Sequence, residues 1–341
     1  MGNQAATRIE HLYLQDEATY GIIPNAGGTA TVGNSNAALL AHFQMYNVAP
    51  VIRRVDKTGS RSLIPGARGR VHCEFNGEFD MAASGVAGTI PPMHSILRSL
   101  FGADPTIVGG TSVTYAISDV LKSFTAWSFR DATTGIAQRV GHGLVVRGFE
   151  FRLGEDAAVC TFQGMGQFMA NDHDFGGYDT TEKGGLTAFP AEPGAPVLTD
   201  GGLCIGFTGH FKVGGNVIAS IRTATIRGET GNELRTDTFG TFYPDGMRGG
   251  PRRISVVINA YDDSGAEMDA LRAACDSKAP LTVDMQVGTV AGNIWNPVLN
   301  NVQFNSMQFR DDQINWTIDI ADSDAHETTP GAKDDFTLAL T

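Results

Sequence analysis

Residues 147–166 read RGFEFRLGEDAAVCTFQGMG, and residues 305–320 read NSMQFRDDQINWTIDI. Each brings an aromatic–arginine pair in on alternating apolar residues, reaches an acidic tip, and leaves on a second alternating run. A period of two marks a half-buried strand, so each stretch reads as a β-hairpin. The same hairpin twice in one chain raises the question of whether its neighbours also occur twice.

They do, in the same order. A strand opens on an arginine at Arg70-Val71 and again at Arg253-Ile254. A short amphipathic helix follows, ILRSLF against ALRAAC, then a strand, FTAWSFRD against LTVDMQVG, then the hairpin. The separations fall along the chain, from 253 − 70 = 183 to 271 − 97 = 174 to 309 − 151 = 158, so the first copy carries the longer connections. Between Leu144–Arg152 and Val302–Arg310 no gap is needed: Leu144, Val146, Phe149 and Phe151 face Val302, Phe304, Met307 and Phe309. The chain therefore reads as a duplication at the scale of a domain, not as a short solenoid repeat.

Strands are expected at 70–79, 124–129, 143–151, 158–166, 218–228, 253–261, 281–287, 302–309 and 314–320. Two segments carry helical periodicity. PPMHSILRSLFG places Met93, Ile96, Leu97, Leu100 and Phe101 on one face, between prolines and Gly102. SGAEMDALRAACDS does the same with Met268, Leu271 and Ala274, with Ser264 as the expected cap. The expected organisation is an N-terminal arm (1–35), a first β domain (36–170), a Gly/Pro/acid-rich linker (171–202), a second β domain (203–322) and a C-terminal arm (323–341). Long turn-rich loops precede each copy's arginine strand, at 51–69 and 227–251, and a shared position suggests a shared task.

The 341 residues suffice for two domains, and 42% hydrophobic content supports packed cores. With 42 glycines and only 18% charged residues, the composition suits an all-β chain with many turns. A formal charge of −12 argues against gripping nucleic acid through its phosphates, yet suits a surface past which a polyanion slides. Cys73, Cys160, Cys204 and Cys275 stand singly and read as buried free thiols. No signal peptide or membrane span is expected.

No constellation amounts to an active site. Asp172-His173-Asp174 offers carboxylate and imidazole ligands, but neighbours on an extended chain point opposite ways. Glu155 with Asp156, and Asp311 with Asp312, occupy hairpin tips, where solvated turn residues are the default; Glu74 with Glu78 is a third carboxylate pair. His94 and His142 have no nearby nucleophile in sequence. Residues 26–36 are Gly-rich without a phosphate-loop ending. Phe149, Phe151, Trp127, Trp295 and Trp316 lack interleaved basic residues and are expected in the core rather than as a base-stacking platform. No cofactor and no metal is expected, and no enzymatic activity.

Three stretches resemble the major tail tube proteins of long, non-contractile-tailed (siphovirus-type) bacteriophages. EATYGIIP, with Glu17, Tyr20, Gly21 and Pro24, is similar to the family's opening; HSILRSLFG resembles its flanking helix; residues 143–166 resemble its closing hairpin. The likeness runs from about residue 10 to 322, over diffuse motifs, and departs in size, since many tube subunits hold one β domain. It implies two tail-tube-like β-sandwich or barrel domains, each with one short flanking helix, whose sheets join edge to edge around a channel. Rings then stack head to tail into a tube through which genomic DNA passes without specific binding. On this reading the partners are further copies of the chain, as trimeric pseudo-hexameric rings with a hexamer as the alternative, and the tape measure, terminator and distal tail proteins. The expected location is the virion, after assembly in the bacterial cytoplasm.

By alternation, Glu74, Glu150, Gln303 and Gln308 are the expected lumen-facing residues. The expected ring-stacking loops carry Arg53, Arg54, Asp56, Lys57 and Arg61 in one copy, and Glu229, Glu233, Arg235 and Asp237 in the other. The competing readings are another β-domain virion protein (decoration, baseplate or terminator) and a metal-dependent hydrolase built on Asp172–Asp174.

Overall fold

The computed structural model describes residues 10–24, 32–54, 65–132, 135–154, 157–194, 196–197, 201–262, 265–311 and 316–341. These residues are mainly β, in several antiparallel sheets, with two α-helices.

In the first half, β1 (Glu10–Asp16), β2 (Ala37–Ala38) and β3 (His42–Val48) are followed by a long connection holding β4 (Val51–Ile52) and β5 (Ala67–Arg68). Then come β6 (His72–Asp80), α1 (His94–Phe101), the hairpin β7 (Thr106–Val108) and β8 (Ser112–Ala116), β9 (Phe124–Ala132), β10 (Gly135–Leu153), β11 (Val159–Gly166) and β12 (Phe168–Asn171). In the second half, β13 (His210–Val213), β14 (Asn216–Val217) and β15 (Ile221–Glu229) precede a connection holding β16 (Asn232–Leu234) and β17 (Met247–Gly249). Then come β18 (Arg253–Tyr261), α2 (Ala266–Ser277), β19 (Leu281–Gln286), β20 (Trp295–Val302), β21 (Met307–Asp311), β22 (Trp316–Asp324) and β23 (Phe336–Leu340).

Strands β3, β6, β11 and β10 pair in that order, and β15, β18, β22 and β21 pair in that order. Because β10 also pairs with β15, eight strands form one continuous antiparallel run. A second set of pairings runs β2-β1-β9-β10-β12 in the first half and β14-β13-β19-β20-β23 in the second. The pairing order of residues 10–171 thus recurs in residues 210–340, down to the two-stranded pieces β4–β5 and β16–β17 in the long connections. One element has no counterpart. The hairpin β7–β8 lies between α1 and β9, where the second half has only Lys278, Ala279 and Pro280, and it extends the second half's sheet at β23.

Register refines the alignment. Cys160 faces Phe79 in the first half and Ile318 faces Ala260 in the second, so Arg253 occupies the place of His72, two residues on from Arg70. The slip is even, which keeps every side chain on its own face.

The expected single strand at 302–309 is broken. β20 ends at Val302 and β21 starts at Met307, with Phe304 fully buried between them. Asn305 donates its N–H to the Ser323 side-chain Oγ on β22 (3.1 Å) rather than to a backbone carbonyl of the ladder. In the first half β10 runs through 19 residues, but it shifts register at Gly141–Leu144, where Gly143 takes φ 64°. Asn301, at the matching place before β21, takes φ 46°. Gly enters this left-handed region most readily and Asn more readily than most residues, and both turn the strand from one sheet into the other.

One hydrophobic cluster runs through both halves. Phe336 stacks on Phe149 (5.9 Å, 12°) and on Phe101 (5.1 Å), and Trp295 contacts both Phe79 and Phe151. Burying each such ring is worth about 1.5–3 kcal/mol, and each ring pair adds about 0.5–1.5 kcal/mol. Helix α1 buries Ile96, Leu97, Leu100 and Phe101 and stops at Gly102, whose N–H returns to the Arg98 carbonyl (2.9 Å). Helix α2 buries Met268, Leu271, Ala274 and Cys275 behind Gly265 as N-cap; Ser264 lies outside the described residues. None of the four cysteines forms a disulfide and all are buried, Cys204 in an irregular segment hydrogen-bonded to Met81 and Ala158.

The segments expected to flank the domains are built into them instead. Residues 10–16 form β1 between β2 and β9, and residues 336–340 form β23 between β20 and β8. Both are short runs, HLYLQ buried on both faces and FTLAL on alternate residues, that gain burial only in a sheet. The expected linker packs as well, with Leu186 buried and Phe189 edge-on to Trp127 (6.1 Å).

Candidate functional site

The eight-stranded run separates two faces by alternation. On β6, Cys73, Phe75 and Phe79 are buried while His72, Glu74, Asn76, Glu78 and Asp80 are half-exposed. On β18, Ile254, Val256, Ile258 and Ala260 are buried, and Arg253 and Tyr261 are exposed. On the inner side of the sheet Phe149 lies directly over Gly228: a Cβ there would stand 2.0 Å from the ring.

The other side is a polar surface with a shallow groove of about 540 Å³, lined by Glu78, Glu150, Gln163, Arg227, Arg253 and Asp322 among others. Arg227 and Arg253 in the groove, and Arg152 and Arg310 on the same side, are paired to carboxylates. Glu150 binds Arg152 (2.6 Å) and, across the β10–β15 joint, Arg227 (3.1 Å); Arg253 binds Asp324 (2.8 Å); Arg310 binds Asp319 (2.6 Å). Burial pushes the Glu150 carboxyl up, but Arg152 and Arg227 hold it below the usual range. Exposed pairs of this kind are worth about 0–1 kcal/mol each. Their effect here is to neutralise the cations within a surface that keeps an excess of carboxylates: Glu74, Glu78, Asp80 and Glu229 stand on the same side.

Glu74, Glu150 and Gln308 all lie on this polar face, and Gln303 bridges to Asp324 at its end. Glu74 accepts from Tyr46 Oη (2.8 Å). Sequence reasoning missed β3, which holds Tyr46, although HFQMYNV alternates clearly. It also missed that β3 and β21 are the two ends of the run: among the described residues, β3 pairs only with β6 and β21 only with β22. Gln308 to Asp311 are exposed, including Phe309 at 55%.

The second long connection is ordered rather than loose. Glu233 and Asp237 both hold Arg248, and Arg235 forms a two-pronged pair with Asp245 (2.9 and 3.1 Å). The connection docks on the first half through Gln167 Nε2 to the Pro244 carbonyl (2.8 Å) and Val71 N–H to the Phe242 carbonyl (3.3 Å). Glu229 belongs to the sheet face, not to this connection, because the strand continues through it. The tip of the connection presents a fully exposed Phe239. In the first connection Arg53 and Arg54 are exposed beside the exposed Val51 and Ile52; Asp56, Lys57 and Arg61 lie outside the described residues.

A buried polar hub fixes the turn between the sheets. Glu17, 4% exposed, accepts from Gly21 N–H (3.0 Å) and Ser123 Oγ (2.6 Å) on one oxygen. Its other oxygen accepts from Thr125 Oγ1 (2.8 Å) and Gly143 N–H (2.7 Å). Burial pushes this carboxyl up and the four donors oppose it. Beside it, His142 is fully buried, bonded to the Glu182 carbonyl (3.1 Å), and burial depresses it to about 4.

The other chemical candidates separate. His173 and Asp174 meet at 2.9 Å on the surface, and no cluster of three metal-ligating side chains occurs among the described residues. His94 is half-buried between Asp16 and the buried Tyr115. Asp311 is an exposed edge residue; Glu155, Asp156 and Asp312 lie outside the described residues. Phe149, Phe151, Trp127 and Trp295 are core, but Trp316 is 58% exposed, because it opens β22 opposite Asp311 on the edge strand. Among the described residues no helix is long and apolar enough to cross a membrane. The chain matches no family model and no curated protein.

Proposed function

We propose that this chain is the subunit of stacked rings that form the tail tube of a long-tailed bacteriophage, a conduit for genomic DNA. The supporting observation is the head-to-tail joint of β10 to β15 between halves with the same pairing order, which leaves β3 and β21 as open edges. On this reading the halves are two duplicated tube domains. An open edge is a liability that a ring of mutually paired domains removes, and β10–β15 is one such pairing already made. The polar face lines the lumen, where arginines tied to carboxylates give phosphates little to hold. The exposed Phe239, Val51 and Ile52 on the two long connections serve the contact between rings.

Each chain supplies two domains, so a ring of six domains takes three chains. The test is negative-stain microscopy of the purified protein together with native mass spectrometry of single rings. Hollow tubes and three chains per ring support the reading. Six chains per ring replace the trimer with a hexamer carrying half of its domains outside, and persistent monomers refute the tube.

A further inference from the structure

We infer that β21 of one copy pairs with β3 of a second copy in one fixed antiparallel register, with Gln308 opposite Tyr46, Phe309 opposite Met45 and Arg310 opposite Gln44. The inference rests on the ring reading above and adds the partner surface and its residue pairing.

The register follows from correspondences inside the chain. β10 stands to β11 as β21 stands to β22: Phe151 faces Cys160, and Phe309 faces Ile318. Cys160 and Ile318 in turn face Phe79 and Ala260. Two residues along, Gly77 and Ile258 face Phe43 and Ala224, so Met45 holds in β3 the place that Ile226 holds in β15. At the internal joint Phe151 faces Ile226. The same joint made between copies places Phe309 against Met45.

The side chains fit. Phe309 points to the apolar side of the sheet, opposite the buried Ile318, yet it is 55% exposed, since among the described residues no strand stands beyond β21. Met45 lies on the same side of the other edge. On the polar side the two joints differ. Glu150 and Arg227 form an ion pair at the internal joint, while the corresponding pair between copies is Gln308 with Tyr46, both neutral. Arg310, which meets Gln44, already has its counter-ion in Asp319. Met45 is already buried at 6% exposure, so cohesion between copies comes from backbone hydrogen bonds and from covering the exposed Phe309 ring, and it is insensitive to salt.

The test uses paired cysteines in the full chain. The four native thiols are buried and remain silent. Gln308→Cys/Tyr46→Cys and Arg310→Cys/Gln44→Cys are in register, whereas Gln308→Cys/Gln44→Cys is two residues out. Diagonal neighbours stand about 7–8 Å apart, beyond the roughly 6.8 Å that a disulfide spans. After assembly and mild oxidation, both in-register variants give ladders of linked chains on a non-reducing gel, and the third does not. Raising salt from about 0.1 to about 1 M, which shortens the Debye length from about 10 to about 3 Å, leaves the ladders unchanged. Rings by microscopy with a ladder only in the out-of-register variant, or with none in either in-register variant, overturn the register while the ring reading stands. Absence of rings in the unmodified protein removes the ring reading and the joint together.

Discussion

Replacing Glu17 by glutamine tests whether the buried hub holds the turn of β10. Each carboxylate oxygen accepts one backbone N–H and one hydroxyl: Gly21 and Ser123 on one, Gly143 and Thr125 on the other. A glutamine amide must point its NH2 at one of these pairs. The hydroxyl there rotates and accepts, but the backbone N–H cannot. Whichever way the amide turns, one charge-assisted bond worth about 1.5–3 kcal/mol is lost and one buried N–H is orphaned at about 1–3 kcal/mol. The expected loss is about 3–5 kcal/mol, read as a fall in urea midpoint with an unchanged slope. Thr125→Val, which removes a hydroxyl and leaves both N–H groups served, is expected to lose only about 1 kcal/mol. A loss below about 1 kcal/mol in Glu17→Gln, or equal losses in the two variants, would show that the hub does not depend on having two oxygens.

Two further outcomes follow from buried groups. His142 is depressed from 6.5 to about 4, so the unfolded chain binds the proton first: stability is complete above 6.5 and falls by about 3 kcal/mol as the pH drops towards 4. Urea midpoints between pH 7 and 4.5 show that fall, and His142→Gln flattens it; an unchanged pH slope in the variant assigns the fall elsewhere. Gly228→Ala drives a methyl into the Phe149 ring, which Phe151 (5.3 Å) and Phe336 (5.9 Å) keep from moving aside. The expected loss is about 1–3 kcal/mol by thermal or urea unfolding, and a neutral substitution would mean that the ring swings clear.

The elements easiest to read in the sequence were those with strong local patterns. The hairpins, α1, α2 and the long strands stand close to where alternation and helical spacing put them, because each buries one face. The parts that escaped are set by partners distant in sequence. HLYLQ and FTLAL are too short to announce themselves, and their places between β2 and β9 and between β20 and β8 exist only once the sheets assemble. The break after Val302 was hidden because Phe304 continues the apolar alternation while its backbone leaves the ladder. The polar-face residues could be read from alternation alone, since parity survives even a two-residue misalignment. The identity of the free edges could not, because an edge is defined by which neighbour is missing.

The hairpin β7–β8 has a mechanical consequence. Within a chain strand pairing fastens the two halves at two separate places, β10 to β15 and β8 to β23, and the second long connection docks across them as well. Fastenings on different strands and in different sheets resist hinging, so the angle between the halves is stiff. The second half has no counterpart of β7–β8 to extend towards a following copy. A ring of such chains would therefore alternate rigid and compliant joints around its circumference, and a tube bent during use would flex between chains while each chain moves as one block.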